Sequence, residues 1–331
     1  MPRIPGAASR RASLKKQVNF SLTKMSAGTQ LQTAAAVAPP APEKKNPILT
    51  LLMVPAVGSL FIWMIVPLVM TIIFSFIRYN LLKPEEKGFA GFENYSYLAG
   101  DESFFPAIIN TIVLMGSVLI ITVVLGILLA ILFDREFFGK NIATLFVIAP
   151  FFVMPTVSVL IWKNMIMDPV NGLIAAGMKA LGLAPIDWFG NYPMLSIILI
   201  VSWEWLPFAF LILFTSLKSL DQEQKEAAAI DGAGPFQSFF YIVLPHLQRA
   251  IGVVVMMETI FLLSLFAEIF ISTKGGPGSA TTNLAFLIYS LGLGQFDIGV
   301  ASAGGILAVI LANIVATFMV RLMAQNLKGG R

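Results

Sequence analysis

The sequence holds no cysteine and a single histidine, His246. Disulfides and thiolate chemistry are therefore excluded, and one imidazole without a second ligand near it cannot build a metal centre. No Gly-x-x-x-x-Gly-Lys-Ser/Thr phosphate loop occurs, so the chain lacks the element that would cradle the phosphates of ATP. Ser-His-Asp, paired-His and Cys-x-x-Cys arrangements are missing as well, which leaves no catalytic constellation. Charge is also scarce: 12% of residues are charged and 57% hydrophobic, a balance too apolar for a water-soluble surface.

What the chain does have is apolar length. Its apolar residues collect in six blocks, approximately 49–76, 107–132, 143–163, 194–215, 251–272 and 301–323. Each is near the ~20 residues that cross ~30 Å of hydrocarbon at ~1.5 Å rise per residue. The interiors of the first, second, third and sixth carry no charge, as hydrocarbon demands when a central Lys, Arg or Asp costs ~2.5–3.5 kcal/mol. Pro55, Pro67, Gly126, Pro150, Pro155 and Pro207 fall within the blocks. Neighbouring helices, hydroxyl side chains and waters can re-satisfy the freed backbone, so these residues need not break the spans. The composition thus predicts an all-α integral membrane protein with six transmembrane helices.

Placing the N-terminus inside puts sixteen of the 22 Lys and Arg in cytoplasmic segments: eight in the tail, two in 134–141, three in 216–250 and three from Arg321 onward. The positive-inside rule then predicts a multi-pass protein of a bacterial-type inner membrane with both termini cytoplasmic. Residues 1–47 carry Arg10, Arg11, Lys15 and Lys16 and then an Ala/Pro-rich run. This stretch is expected to be a disordered tail resting on anionic lipid headgroups rather than a nucleic-acid binder. The first apolar block lies too far behind these basic residues, and is too long, for a cleaved signal, so the membrane domain is expected to begin at 48.

The outside segments fall at 77–106, 164–193 and 273–300. In the last, Lys274-Gly275-Gly276-Pro277-Gly278 reads as a turn and Asn283–Leu293 as a short helix against the membrane rim. Asn283 and Tyr289 are candidate contacts for a protein docked outside.

The longest inside segment is amphipathic. Asp221 is placed to cap a helix, with Gln224 in capping-box position and Ala227, Ala228 and Ala229 as strong helix formers. Gly232 suits the left-handed residue that ends this helix, and Pro235 the first turn of another. A helix, a tight turn and a second helix are predicted on the cytoplasmic face. Small alanines allow close approach, Phe236, Phe239 and Phe240 offer apolar anchors, and Glu226 and Asp231 offer carboxylates to a basic partner. The alternative is an ordinary amphipathic connection between spans.

Glu226-Ala227-Ala228, then Gly232, then Ile242 and Leu244-Pro245 resemble the EAA motif of binding-protein-dependent ABC importer permeases. Arg249 stands where that pattern often has a second proline. The resemblance implies the MetI-like permease fold and makes the loop 221–245 the coupling helix, which sits in a cleft of the ATPase subunit. It further implies separate ABC ATPase subunits using ATP and Mg, a second homologous permease and a periplasmic solute-binding protein. No cofactor or metal is expected on this chain itself. Gly275-Gly276-Pro277-Gly278, Thr281-Thr282-Asn283 and the stretch Phe296–Ala303 look like the MalF-type sugar permeases. Met257-Glu258-Thr259 through Leu293 looks more narrowly like permeases for sorbitol and mannitol, which makes a polyol or sugar the implied cargo.

Three carboxylates lie within spans: Glu204 between Trp203 and Trp205, then Glu258 and Glu268. A charge facing lipid is costly, so each is expected to face a helix or a watery cavity. Glu204 with Trp205 suits a hydroxyl-rich cargo, since a carboxylate accepts from OH groups and an aromatic ring covers the carbon skeleton. A satisfied interhelical hydrogen bond is the plainer reading of Glu204 and Glu258, and snorkelling toward the outer surface that of Glu268. Two other classes remain open from the residues alone, an ion-coupled secondary transporter of small polar solutes and a membrane enzyme.

Overall fold

The computed structural model describes the backbone of residues 47–328 and the side chains of 53–319 and of Arg321. The tail expected over 1–47 lies outside the described residues apart from Pro47, which starts the first helix. The chain divides into two units, Met1–Ile65 and Val66–Arg331. All that is described of the first belongs to helix α1 (Pro47–Ser75), whose last turns open the second unit. Pro55 and Pro67 sit inside α1 without ending it, as expected.

The second unit continues with a two-stranded antiparallel pair, β1 (Ile77–Arg78) and β2 (Gly88–Phe89), and the short α2 (Glu93–Gly100). Then come α3 (Phe104–Asp134), α4 (Lys140–Ile148), α5 (Pro155–Ile161), α6 (Leu173–Ala180), α7 (Trp188–Asn191) and α8 (Pro193–Lys218). A hairpin holds α9 (Gln222–Ile230) and α10 (Pro235–Ser238), followed by α11 (Leu244–Leu263), α12 (Ala267–Ser272), α13 (Leu284–Tyr289) and α14 (Ile298–Lys328). Among the described residues five helices are long and apolar enough to span, and a sixth span is counted when the bent pair Lys140–Phe152 and Pro155–Ile166 is taken as one.

That pair bends by 111°, so the third span, whose prolines Pro150 and Pro155 need not have broken it, is broken between them. Pro155 has no N–H to give and disfavours helical backbone at the residue before it. Met154 is accordingly extended, with ψ 138°. The fifth block departs at both ends. Its helix starts far earlier, running from Pro235 to Leu263, and it does not reach 272: the chain leaves the helix at Ser264 and resumes as α12. Neither Pro nor Gly stands at this break. It is held from a distance, because Asn283 Nδ2 donates to the Leu265 carbonyl at 2.5 Å.

The core is built on α3 against α8. Lipid supplies no hydrophobic drive between spans, so association depends on close van der Waals contact, which small residues permit. Ala130 and Ala209 are fully buried, and Gly126 is so close that an added Cβ would lie 3.1 Å from Leu213 Cδ1 and 3.2 Å from Ala209 Cβ. One apolar cluster joins Leu114, Val118, Ile197, Val201, Leu262 and Ile269. A second, nearer the hairpin, joins Ala130, Leu213, Leu217, Leu247 and Val254.

At the opposite end of the bundle, the segment after β1 pairs with the entry to α14. Tyr79 O accepts from Ile298 N and Gly299 N at 2.9 and 3.1 Å, and Leu81 N donates to Phe296 O at 2.9 Å. Asn94 Nδ2 closes the joint by donating to Ser75 O and Ile77 O, both at 2.9 Å. A Cβ at Gly299 would stand 2.5 Å from Ile77 O and 2.9 Å from Asn94 Nδ2. Gly299→Ala is therefore expected to destabilise by about 1–3 kcal/mol, as overpacking does elsewhere. Gly177→Ala, within α6 where nothing lies within 4 Å, is expected to be neutral or to stabilise by up to ~1 kcal/mol through helix propensity. Melting of the detergent-purified protein checks both.

Candidate functional site

The hairpin between the fourth and fifth spans forms as its sequence predicts. Asp221 Oδ1 accepts from Glu223 N at 3.0 Å and caps α9; no reciprocal bond from the Gln224 side chain accompanies it among the described contacts. The helix ends at Gly232 with φ +81°. Gly232 N donates to Ala229 O at 3.1 Å and Ala233 N to Ala228 O at 2.9 Å, the paired bonds of a Schellman terminus. Pro235 then opens the second helix, and Gly234 N donates to Gln237 Oε1 at 2.9 Å.

That second helix is the base of the fifth span. Through a wide turn of π type at Phe239–Val243, α10 passes into α11 without a break. Insertions of this kind recur at functional sites. Ile242 and Leu244 pack with Phe239 on the cluster of Leu213, Leu217 and Leu247, so Phe239 serves the core rather than an outward anchor. Pro245 is exposed on the first turn of α11.

No residue of α9 is buried. Glu226, Ala227 and Asp231 are exposed, and the Glu226 carboxylate accepts only from Gln222 Nε2 of its own helix, at 3.2 Å. Ala228, Asp231, Gly232, Ala233, Tyr241 and Ile242 line an open groove of about 410 Å³ in the crook of the hairpin. Around it stand Ile230, Phe236 and Tyr241, 86%, 82% and 80% exposed. Ile230 and Tyr241 were not anchors in the sequence reading, although Ile230 is the one large apolar residue of α9 and its exposure could have been weighed.

Sequence reasoning also missed the charges under the hairpin. Asp134, at the end of α3, pairs with Lys225 of α9 at 2.8 Å and with Lys218 of α8 at 3.0 Å. Nearby, Lys140 Nζ donates to Glu136 at 2.7 Å, and this bond holds the Glu136 carboxyl below its usual range. His246 is no ligand: its Nε2 meets Ser216 O at 2.9 Å and Ser219 Oγ at 3.2 Å, joining the end of α8 to the start of α11.

The three carboxyls within the spans are buried, as expected. Glu258 is fully enclosed, and its Oε2 accepts from Thr122 Oγ1 of α3 at 2.7 Å while Oε1 has no partner. Glu204 lies beside Ser158 of α5 and Glu268 of α12, with its Oε1 and the Ser158 Oγ unbonded. Glu268 does not snorkel: the break at 264–266 turns it onto α12, where it is 7% exposed. Trp205 sits apart from Glu204, packed at 5.1 Å on Phe261 and 6.0 Å on Phe208. The structure therefore does not bring the carboxylate and the aromatic ring of the expected pair to one face.

Asn283 is also not a docking contact. It is 1% exposed, accepts from Phe286 N at 2.8 Å to cap α13, and donates to the Leu265 carbonyl. Tyr289 packs among Phe266, Phe270 and Phe286.

Residues 122–329 match the family described as the binding-protein-dependent transport system inner membrane component. The chain belongs to this family. A probable ABC transporter permease of Sinorhizobium fredii is 32% identical over 251 residues, covering 75% of this chain and 81% of its own. The trehalose/maltose transport system permease of Thermococcus litoralis is 30% identical, covering 79% and 88%. Among solved structures, a bacterial ABC transporter that imports alginate superposes with a TM-score of 0.73 at 22% identity, over 85% of this chain and 96% of that one. The fold is thus the MetI-like permease fold, and this permease is a transport subunit of the inner membrane, with ATP hydrolysis in a separate subunit. Removing the cap and the carbonyl bond together, Asn283→Ala in the permease is expected to lower stability by about 1–3 kcal/mol. A fall in melting temperature of the purified chain checks this, and an unchanged melting curve would return Asn283 to the surface.

Proposed function

We propose that the chain is the subunit through which an ATP-driven importer passes a carbohydrate-type solute, with a polyol such as sorbitol or mannitol as cargo. The observation that carries the reading is the exposed hairpin at Gln222–Ser238, whose second helix continues without interruption into the fifth span. An ATPase subunit gripping Ile230, Tyr241 and the groove beneath Gly232 would thereby act directly on α11. ATP and Mg belong to that partner. A second, homologous permease completes the path, a periplasmic solute-binding protein delivers the cargo, and both termini of the present chain lie in the cytoplasm. The kinship with a trehalose/maltose permease supports a sugar-like cargo; the polyol rests on the likeness of the fifth and sixth spans. An ion-coupled carrier is not favoured, since this family is defined by binding-protein-dependent transport.

Gly232 occupies the left-handed region with φ +81°, where a side chain is strained and where the partner's approach is closest. Gly232→Asp is expected to abolish ATP-dependent uptake in proteoliposomes while the chain still inserts and is recovered in full amount. Uptake that persists in this variant would remove the hairpin from the transport cycle. For the cargo, labelled sorbitol uptake by the reconstituted system should be competed by mannitol and not by maltose; the reverse order would make the cargo a disaccharide.

A further inference from the structure

Helix α9 has no buried residue, so apolar packing does not set its angle to the bundle. Among the described residues its side chains make one bond to another span, from Lys225 Nζ to Asp134 Oδ2 at 2.8 Å. Asp134 is the last residue of α3 and also meets Lys218, the last residue of α8, at 3.0 Å. The side chains of Lys225 and Asp134 are only 22% and 26% exposed, against 45% for Lys218. Screening by water is therefore partial at the Lys225 bond and greater at the other.

The geometry points to Asp134 as a second strut of the hairpin, through which displacement of α9 reaches α3 and, with it, α8. The inference rests on the coupling role proposed for the hairpin. One arm, α10 into α11, transmits along a continuous helix; the other passes through a single charge-assisted bond. Because α3 and α8 are packed at Gly126 against Ala209 and Leu213, a pull on Asp134 moves both helices together. Without the strut, α9 would follow the ATPase while α3 stayed behind. ATP would then be hydrolysed with less solute moved. Lys225 and Asp134 are positioning residues in this scheme and touch no cargo.

The test uses the whole complex in proteoliposomes, reading solute taken up per ATP hydrolysed. Lys225→Met should lower that ratio by about fivefold, the scale of one partly screened charge-assisted contact, with assembly unchanged. Lys218→Met leaves the α9 bond in place and should change the ratio by less than about twofold. Restoring the pair in reverse, Asp134→Lys with Lys225→Asp, in the Lys218→Met background that removes the cation facing position 134, should recover most of the loss. Equal effects of the two methionine variants, or no recovery in the reversed pair, would overturn the strut and leave Asp134 as a local charge partner. To keep this apart from failure of the hairpin reading itself, a cysteine at Ile230 is crosslinked to the ATPase in each variant; the chain has no other cysteine. A crosslink in the unaltered permease that persists in Lys225→Met assigns the loss to transmission. Absence of the crosslink in the unaltered permease would sink both readings.

Discussion

A peptide group that leaves its helix inside hydrocarbon must find its partner within the protein, because no water is there to supply one. That requirement organises the outer half of this permease. At the break after Leu263 the Leu265 carbonyl is freed, and Asn283 takes it. Asn283 must itself be held still, so Leu284 N donates to Thr111 Oγ1 at 2.9 Å, and Asn110 Nδ2 donates to Ser279 O and Thr282 O at 3.1 and 2.9 Å. Within the loop, Thr273 and Thr281 pair their hydroxyls at 2.6 Å, and Thr282 Oγ1 donates to Gly275 O at 3.2 Å. The segment 273–283 is thus framework for the break, while Lys274, Pro277, Gly278 and Ala280 stay exposed.

Continuity at one end of α11 and discontinuity at the other divide the labour along the fifth span. From Pro235 to Leu263 the chain is one helix, ~43 Å at ~1.5 Å per residue, long enough to carry a displacement from the hairpin well into the membrane. Beyond Leu263 the helix stops, and α12 rests on α5 and α8. The third span is divided in a comparable way, with α5 as its outer piece. Two spans therefore end in short pieces with their own orientation, while α3 and α8 run whole and stay locked by small residues.

Legibility in the sequence followed the range of the interactions. The hairpin could be read because its devices are local: the Asp221 cap, the glycine at 232 that alone tolerates φ +81° cheaply, and Pro235 at a position whose N–H is spare. The break at Ser264-Leu265-Phe266 could not, since the side chain that takes its freed carbonyl lies eighteen residues further on. Pro155 was visible but its effect was open. Lost hydrogen bonds can be re-satisfied by neighbours, yet the steric demand of proline on Met154 remains, and that demand bends the span. Asp134 was also in plain view, a lone acid closing a charge-free block, but its partners lie 84 and 91 residues away.

The carboxyls show the same limit more sharply. Neighbouring residues on a helix point ~100° apart, and Glu204 and Trp205 take different neighbours. Trp205 joins the aromatic face toward Phe261, and Glu204 turns to Ser158 and Glu268. Those two partners belong to α5 and α12, the outer pieces of the two broken spans. Polar groups enclosed in hydrocarbon have few alternatives to one another. If motion of α11 widened the break at 264–266, it would draw Glu268 from Glu204 and leave Glu204 with Ser158. Both short pieces thus meet α8 at Glu204, on the helix that Gly126 packs against Ala209 and Leu213.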